Sequence, residues 1–172
     1  MGYGIVLVMK RTFEDSKFIE GRVVTAMMFE RLTKGSLEYM EGDRFYEDFN
    51  EETGHVGIRD KGFYEVDFYP NIIRVRTSLQ WSTFLDWDKL PNSPRKEFQK
   101  LINLFHPQKC WIGTDYATDQ VCSLEVGYGQ WLKDVRKEYG PIRTFEFEKV
   151  YEGFKKDIWP KDLYYVKDNK LV

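Results

Sequence analysis

The stretch Phe63 to Ser78, FYEVDFYPNIIRVRTS, limits the fold more than any other part of the chain. Pro70-Asn71 separates two β-rich runs. Proline presets φ at the first central position of a turn, and asparagine tolerates the second. With that pair at the tip, Phe68 faces Ile73 and Val66 faces Val75, while Asp67 faces Arg74 and Glu65 faces Arg76. One face is then apolar and the other holds two opposite-charge pairs, each cross-strand pair contributing roughly 0.2–1 kcal/mol. A slip of one residue would set apolar groups against charges, so the register is well specified. A four-residue loop from Tyr69 to Ile72 keeps the same pairing. We expect the charged side to be an exposed sheet face that keeps the chain soluble, in preference to a recognition surface, because exposed ion pairs stabilise weakly.

The 172 residues suit a single globular domain, 1–172. Such a chain buries roughly 70% of its unfolded surface and needs no metal or disulfide staple. A hydrophobic fraction of 42% with 31% charged residues describes a folded, soluble chain. At 17% aromatic content, some rings must reach a groove or the surface. The net charge of −2 gives no global attraction to nucleic acid or anionic membrane. Ile5 to Met9 is too short for a signal peptide, and no run approaches a membrane span. Val6 also breaks the myristoylation pattern after Met1-Gly2. The compartment expected is the cytoplasm, where Cys110 and Cys122 would be free thiols.

Tyr3 to Lys10 is predicted as a buried strand. Residues 13–34 lean to helix, with Val24, Met28 and Leu32 at helical spacing, although Arg22 to Thr25 also suits a strand. A short strand is expected at His55 to Arg59. Ser78 could cap a helix whose Trp81, Phe84 and Leu85 share a face. The clearest helix begins with Ser93 as cap and Pro94 at its first position; Phe98, Leu101, Ile102 and Phe105 form its apolar stripe. Lys109 to Val126 is expected as a hairpin placing Cys110 opposite Val126, with one long helix from Asp119 as the alternative. Gln130 to Tyr139 is helical either way and stops at Gly140-Pro141. Ile142 to Val150 is predicted as a strand with Phe145 and Phe147 on one face. Leu163 to Val166 is read as a last edge strand, and Asp168 to Val172 as a frayed end.

The chemistry-bearing residues are sparse. His55 and His106 are the only histidines, and there is no Cys-x-x-Cys, His-Glu-x-x-His or EF-hand loop. Neither a metal nor a cofactor is expected, and no catalytic residue is assigned. Gly127-Tyr128-Gly129 resembles half of a phosphate-cradling loop, but the third glycine and a Lys-Ser/Thr pair are missing, and a tight connection is expected instead. Asp86 and Asp88 are spaced to share a divalent cation, which leaves a carboxylate-based enzyme as an alternative, with Asp115 and Asp119 as further candidates. Glu146 and Glu148 lack a lysine at the spacing metal-dependent nucleases need. The basic residues are too dispersed for a nucleic-acid footprint.

The sharpest bias is Glu41 to Glu52, EGDRFYEDFNEE, with six acids against Arg44 and with Phe45, Tyr46 and Phe49 interleaved. An acidic, aromatic-dotted surface suits a basic protein partner, because charge steers encounter and rings anchor it. The alternative is a solvated loop whose rings tuck into the core. The partner-binding set is therefore Glu47, Asp48, Glu51 and Glu52 with Tyr46 and Phe49. The fold class expected is α+β: a mainly antiparallel sheet with two or three helices packed on one face, among them Ser93–Phe105 and Gln130–Tyr139. The function expected is a non-enzymatic protein-binding module, such as an inhibitor of a basic partner. A carboxylate enzyme or an oligomer-forming structural subunit are the other classes.

Overall fold

The computed structural model describes residues 4–11, 64–69, 71–89, 93–119 and 124–171, together with the backbone of 45–50 and 55–60. The helix or strand expected over 13–34 lies outside these residues. Among the described residues there are eight strands: β1 (Gly4–Lys10), β2 (Phe45–Asn50), β3 (His55–Asp60), β4 (Tyr64–Phe68), β5 (Ile72–Gln80), β6 (Lys109–Thr114), β7 (Arg143–Thr144) and β8 (Leu163–Val166). They form one sheet in the order β2-β3-β4-β5-β1-β6-β8-β7. Every neighbouring pair is antiparallel except β7 and β8. The helices are α1 (Trp81–Asp86), α2 (Pro94–Phe105), the single turn α3 (Tyr116–Asp119), α4 (Tyr128–Tyr139) and α5 (Phe147–Phe154). The chain is α+β, with a mostly antiparallel sheet.

β1 lies between β5 and β6, where Leu7 stands opposite both Val75 and Ile112. Ile5 to Met9 are all fully buried. A continuous apolar run is what a strand covered on both faces requires. The β4–β5 hairpin has the register read from the sequence: Val66 opposite Val75, Phe68 opposite Ile73, Asp67 opposite Arg74 and Glu65 opposite Arg76. Tyr69 and Ile72 close its tip, their amides donating to each other's carbonyls at 2.8 and 3.4 Å.

Strand alternation sorts the core into two layers. On the first face, Ile5, Leu7, Val75 and Ile112 meet Phe84 of α1, Phe98 and Leu101 of α2, and Val150 of α5. On the second, Val6, Val8 and Trp111 meet Trp131 and Val135 of α4. Burying side chains of this size stabilises by roughly 1.5–3 kcal/mol each. Three helices thus share one face. The Gln130–Tyr139 segment, expected beside Ser93–Phe105, packs on the opposite side. The cause is strand parity: its Trp131 meets Trp111, whose neighbours Cys110 and Ile112 point the other way.

α2 begins as expected. Pro94 takes the first helical turn, and the Lys96 amide donates to Ser93 Oγ at 3.3 Å. Phe98, Leu101, Ile102 and Phe105 are buried. His106, in the left-handed region at φ 44°, ends the helix by donating its amide to Ile102 O. α4 ends at Gly140, whose φ of 70° suits glycine.

Several local expectations are corrected. Lys109–Val126 is neither a hairpin nor a long helix. Cys110 pairs with Met9 and Val166, and Ile112 with Leu7 and Tyr164, so distant strands occupy both edges of β6. Ser78 lies in β5, and Gln80 precedes α1 without a side-chain cap. Ile142–Val150 holds only the two-residue β7; the rest turns into α5, because Phe147, Val150, Tyr151 and Phe154 form a helical stripe against the first core layer. β8 is flanked by β6 and β7, so it is not an edge strand. The C-terminal stretch is held rather than frayed. Gln99 Nε2 donates to Asn169 O at 2.9 Å and Leu171 N to Gln99 Oε1 at 2.6 Å, while Asn169 Nδ2 donates to Pro107 O at 2.7 Å. Leu171 is buried.

Candidate functional site

Residues 45–50 of the acidic stretch form the first strand in the order of the described sheet. Tyr46, Glu47, Asp48 and Phe49 lie on β2, opposite Arg59, Ile58, Gly57 and Val56 of β3. Among the described strands β2 is outermost. Backbone pairing therefore sets these four residues along one end of the described sheet. Glu51 and Glu52 lie outside the described residues.

The charged face of the β4–β5 hairpin is not the exposed surface expected. Arg74 donates from Nε to Asp67 Oδ2 at 2.8 Å, with its terminal nitrogen 2.6 Å from the same oxygen. Both residues are buried, as is Arg11, which donates to Tyr69 O at 3.1 Å. The next pair, Glu65 with Arg76, is half-buried, and Arg76 Nε donates to Glu65 Oε2 at 2.7 Å. The two pairs tie neighbouring strands together inside the fold.

The carboxylates considered for metal chemistry do not converge. Asp86 is exposed at the end of α1. Asp88 is taken up by Arg95, with Nε 2.7 Å from Oδ1 and the terminal nitrogen donating to Oδ2 at 2.8 Å. The same guanidinium lies 3.9 Å over the Phe147 ring, so Arg95 clamps the turn after α1 to α2 and α5. Asp115 opens α3, its carbonyl accepting from the Thr118 amide at 3.0 Å, and Asp119 is the last residue of that turn. Among the described residues no three His, Cys, Asp or Glu side chains are grouped as a metal site. Glu146 pairs with Lys149 at 2.7 Å at the start of α5.

Cys110 is fully buried, and desolvation pushes its thiol far above the usual range. That matches a structural thiol rather than a nucleophile. His106 is exposed.

The opposite rim holds a surface that the sequence reading passed over. β7 is the outermost described strand on that side. Two adjoining grooves of about 530 and 520 Å³ flank it, and Arg143 and Lys161 line both. Neither cation has an ion-pair partner among the described residues. Tyr164, whose hydroxyl accepts from the Lys161 amide at 2.8 Å, lies at the base of the first groove. Burial raises its phenol pKa, against the lowering influence of that hydrogen bond and of Arg143.

The wall of this groove is a built turn. After α5 the Asp157 amide donates to Phe154 O at 3.0 Å and the Ile158 amide to Gly153 O at 2.9 Å, with Asp157 left-handed at φ 58°. These are the paired bonds of a Schellman motif. The turn presents Ile158 and Trp159, which are 62% and 69% exposed, the largest exposures among the described large apolar residues. Phe154 holds the indole edge-on at 6.1 Å between centroids. One sequence signal was there to find: Ile158 keeps the period of the Phe147–Phe154 stripe, but Pro160 follows at once, so an apolar pair falls where the helix has to end.

No protein-family model, curated protein or solved structure matches this chain.

Proposed function

We propose that this chain is a non-enzymatic protein-binding module that meets a basic partner protein through β2. The place of that strand supports the reading. Tyr46, Glu47, Asp48 and Phe49 lie on the outermost described strand of an eight-stranded sheet. An edge strand can accept a partner's backbone, and acids along it draw basic surfaces and repel acidic ones. Inhibition of a basic effector is one use of such an edge. A carboxylate-centred enzyme has less support, because Asp86 and Asp88 do not share a site. No described helix is long and apolar enough to cross a membrane, and a cytoplasmic setting remains part of the proposal.

The test is retention from a cell lysate on the immobilised protein, at low and high salt, beside a variant carrying Glu47→Lys and Asp48→Lys. A basic protein should be held by the parent at low salt, released at high salt, and not held by the variant. Circular dichroism should show the variant folded. Equal retention by both proteins, or none by the parent, would overturn the reading.

A further inference from the structure

We infer that the rim formed by β7 and the Ile158–Trp159 turn is a second docking surface, whose occupant is an extended peptide segment of a partner protein with an acidic residue next to an apolar one. This goes beyond the β2 proposal and does not depend on it, since it concerns the other end of the sheet and the opposite charge.

Three observations converge. First, Trp159 is exposed but held in place, by the Gly153–Ile158 turn beneath it and the Phe154 ring beside it. An aromatic already fixed in the open loses little freedom on binding, which is how interface anchors arise. Second, Arg143 and Lys161 line both grooves and have no ion-pair partner among the described residues, so a single carboxylate there would meet two cations. A guanidinium also offers a fork that matches a carboxylate. Third, β7 is the outermost described strand, so an added strand could run along it and cross from one groove into the other.

The same grooves argue against a nucleic-acid strand, although an exposed indole beside cations could stack a base. Glu138 and Asp162 also line the second groove and would oppose a row of phosphates, whereas Glu146 in the first is paired with Lys149. One acid in an otherwise apolar peptide is accommodated; a polyanion is not.

The experiment is selection of a phage-displayed library of random peptides on the whole protein, followed by fluorescence anisotropy with an enriched, labelled peptide. Enriched sequences should pair Asp or Glu with a neighbouring apolar residue. Affinity should fall about tenfold or more in Trp159→Ala and in Arg143→Glu/Lys161→Glu. It should weaken as salt rises, and it should be unchanged in Glu47→Lys/Asp48→Lys. All side chains altered on this rim are exposed, and matching thermal unfolding midpoints would show the variants folded. Failure to enrich any peptide, or binding by either rim variant as tight as the parent's, overturns the inference. Tight binding of a labelled oligothymidylate that displaces the peptide and is lost in Trp159→Ala would assign the surface to single-stranded nucleic acid instead. A concentration-dependent dimer that Trp159→Ala dissolves would assign it to a second copy of this chain.

Discussion

The β4–β5 hairpin holds two ion pairs on adjacent rungs of the same face, and they are not equivalent. The Asp67 and Arg74 side chains are 4% and 11% exposed, whereas Glu65 and Arg76 are 30% and 32% exposed. Both pairs join an acid on one strand to an arginine on the next, in the same register. Burial separates them, and the Arg74 guanidinium also lies 5.9 Å over the Tyr69 ring. A charge removed from water depends on its partner, because its solvation has been given up. A half-exposed charge that loses its partner regains water instead. The same sequence pattern therefore yields a structural necessity at one rung and a minor contribution at the other.

The largest effect should come from Asp67→Ala, which leaves Arg74 buried beside a cavity and should cost about 3–5 kcal/mol. Urea unfolding would read this as a lower midpoint with unchanged slope. If the loss is under about 1 kcal/mol, burial is not what distinguishes the two rungs. Replacing both partners, Asp67→Leu with Arg74→Met, should recover much of that loss, since a well-packed apolar pair can match a buried ion pair. Glu65→Ala should cost no more than about 1 kcal/mol, and the difference from the parent should shrink in high salt.

The smallest effect extends the comparison to a single titrating group. Burial raises the Tyr128 phenol from 10.0 to about 12, although Arg136 lowers it in part. The folded state thus favours the protonated form. Tyr128 contributes its full stabilisation below pH 10 and loses it as pH rises from 10 to about 12, because the unfolded chain releases that proton first. Thermal unfolding midpoints across that range should fall less steeply in Tyr128→Phe. Parallel slopes would place the phenol in an effectively aqueous setting.

Legibility in the sequence followed the range of the interactions. α2 could be read because its cap, its proline and its apolar stripe all lie within one short segment. The hairpin register could be read because a turn residue fixes it locally. β6 could not: its apolar residues suit any covered strand, and nothing near them names β1 and β8 as partners. The start of α5 reads as strand because Thr144 to Glu148 alternates, while the Phe147, Val150, Tyr151, Phe154 spacing emerges only over a longer window. The acids of β2 were visible as composition, but their place on a rim follows from the order of all eight strands. For the outward Trp159 the sequence marks only that the helix ends before Pro160; the exposure itself comes from the left-handed Asp157.

The position of β6 also bears on how the chain is made. Its two neighbours are β1, synthesised long before it, and β8, synthesised near the end of the described residues. On the ribosome, β1, β5 and β6 can pair as soon as they emerge, but the other edge of β6 stays open until residues 163–166 follow. That edge carries Cys110, Trp111 and Ile112, all buried in the finished fold. A nascent or truncated chain ending before β8 would display an apolar strand with unpaired backbone, the template on which unfinished sheets aggregate. Pauses in translation between α4 and β8 would prolong that exposure.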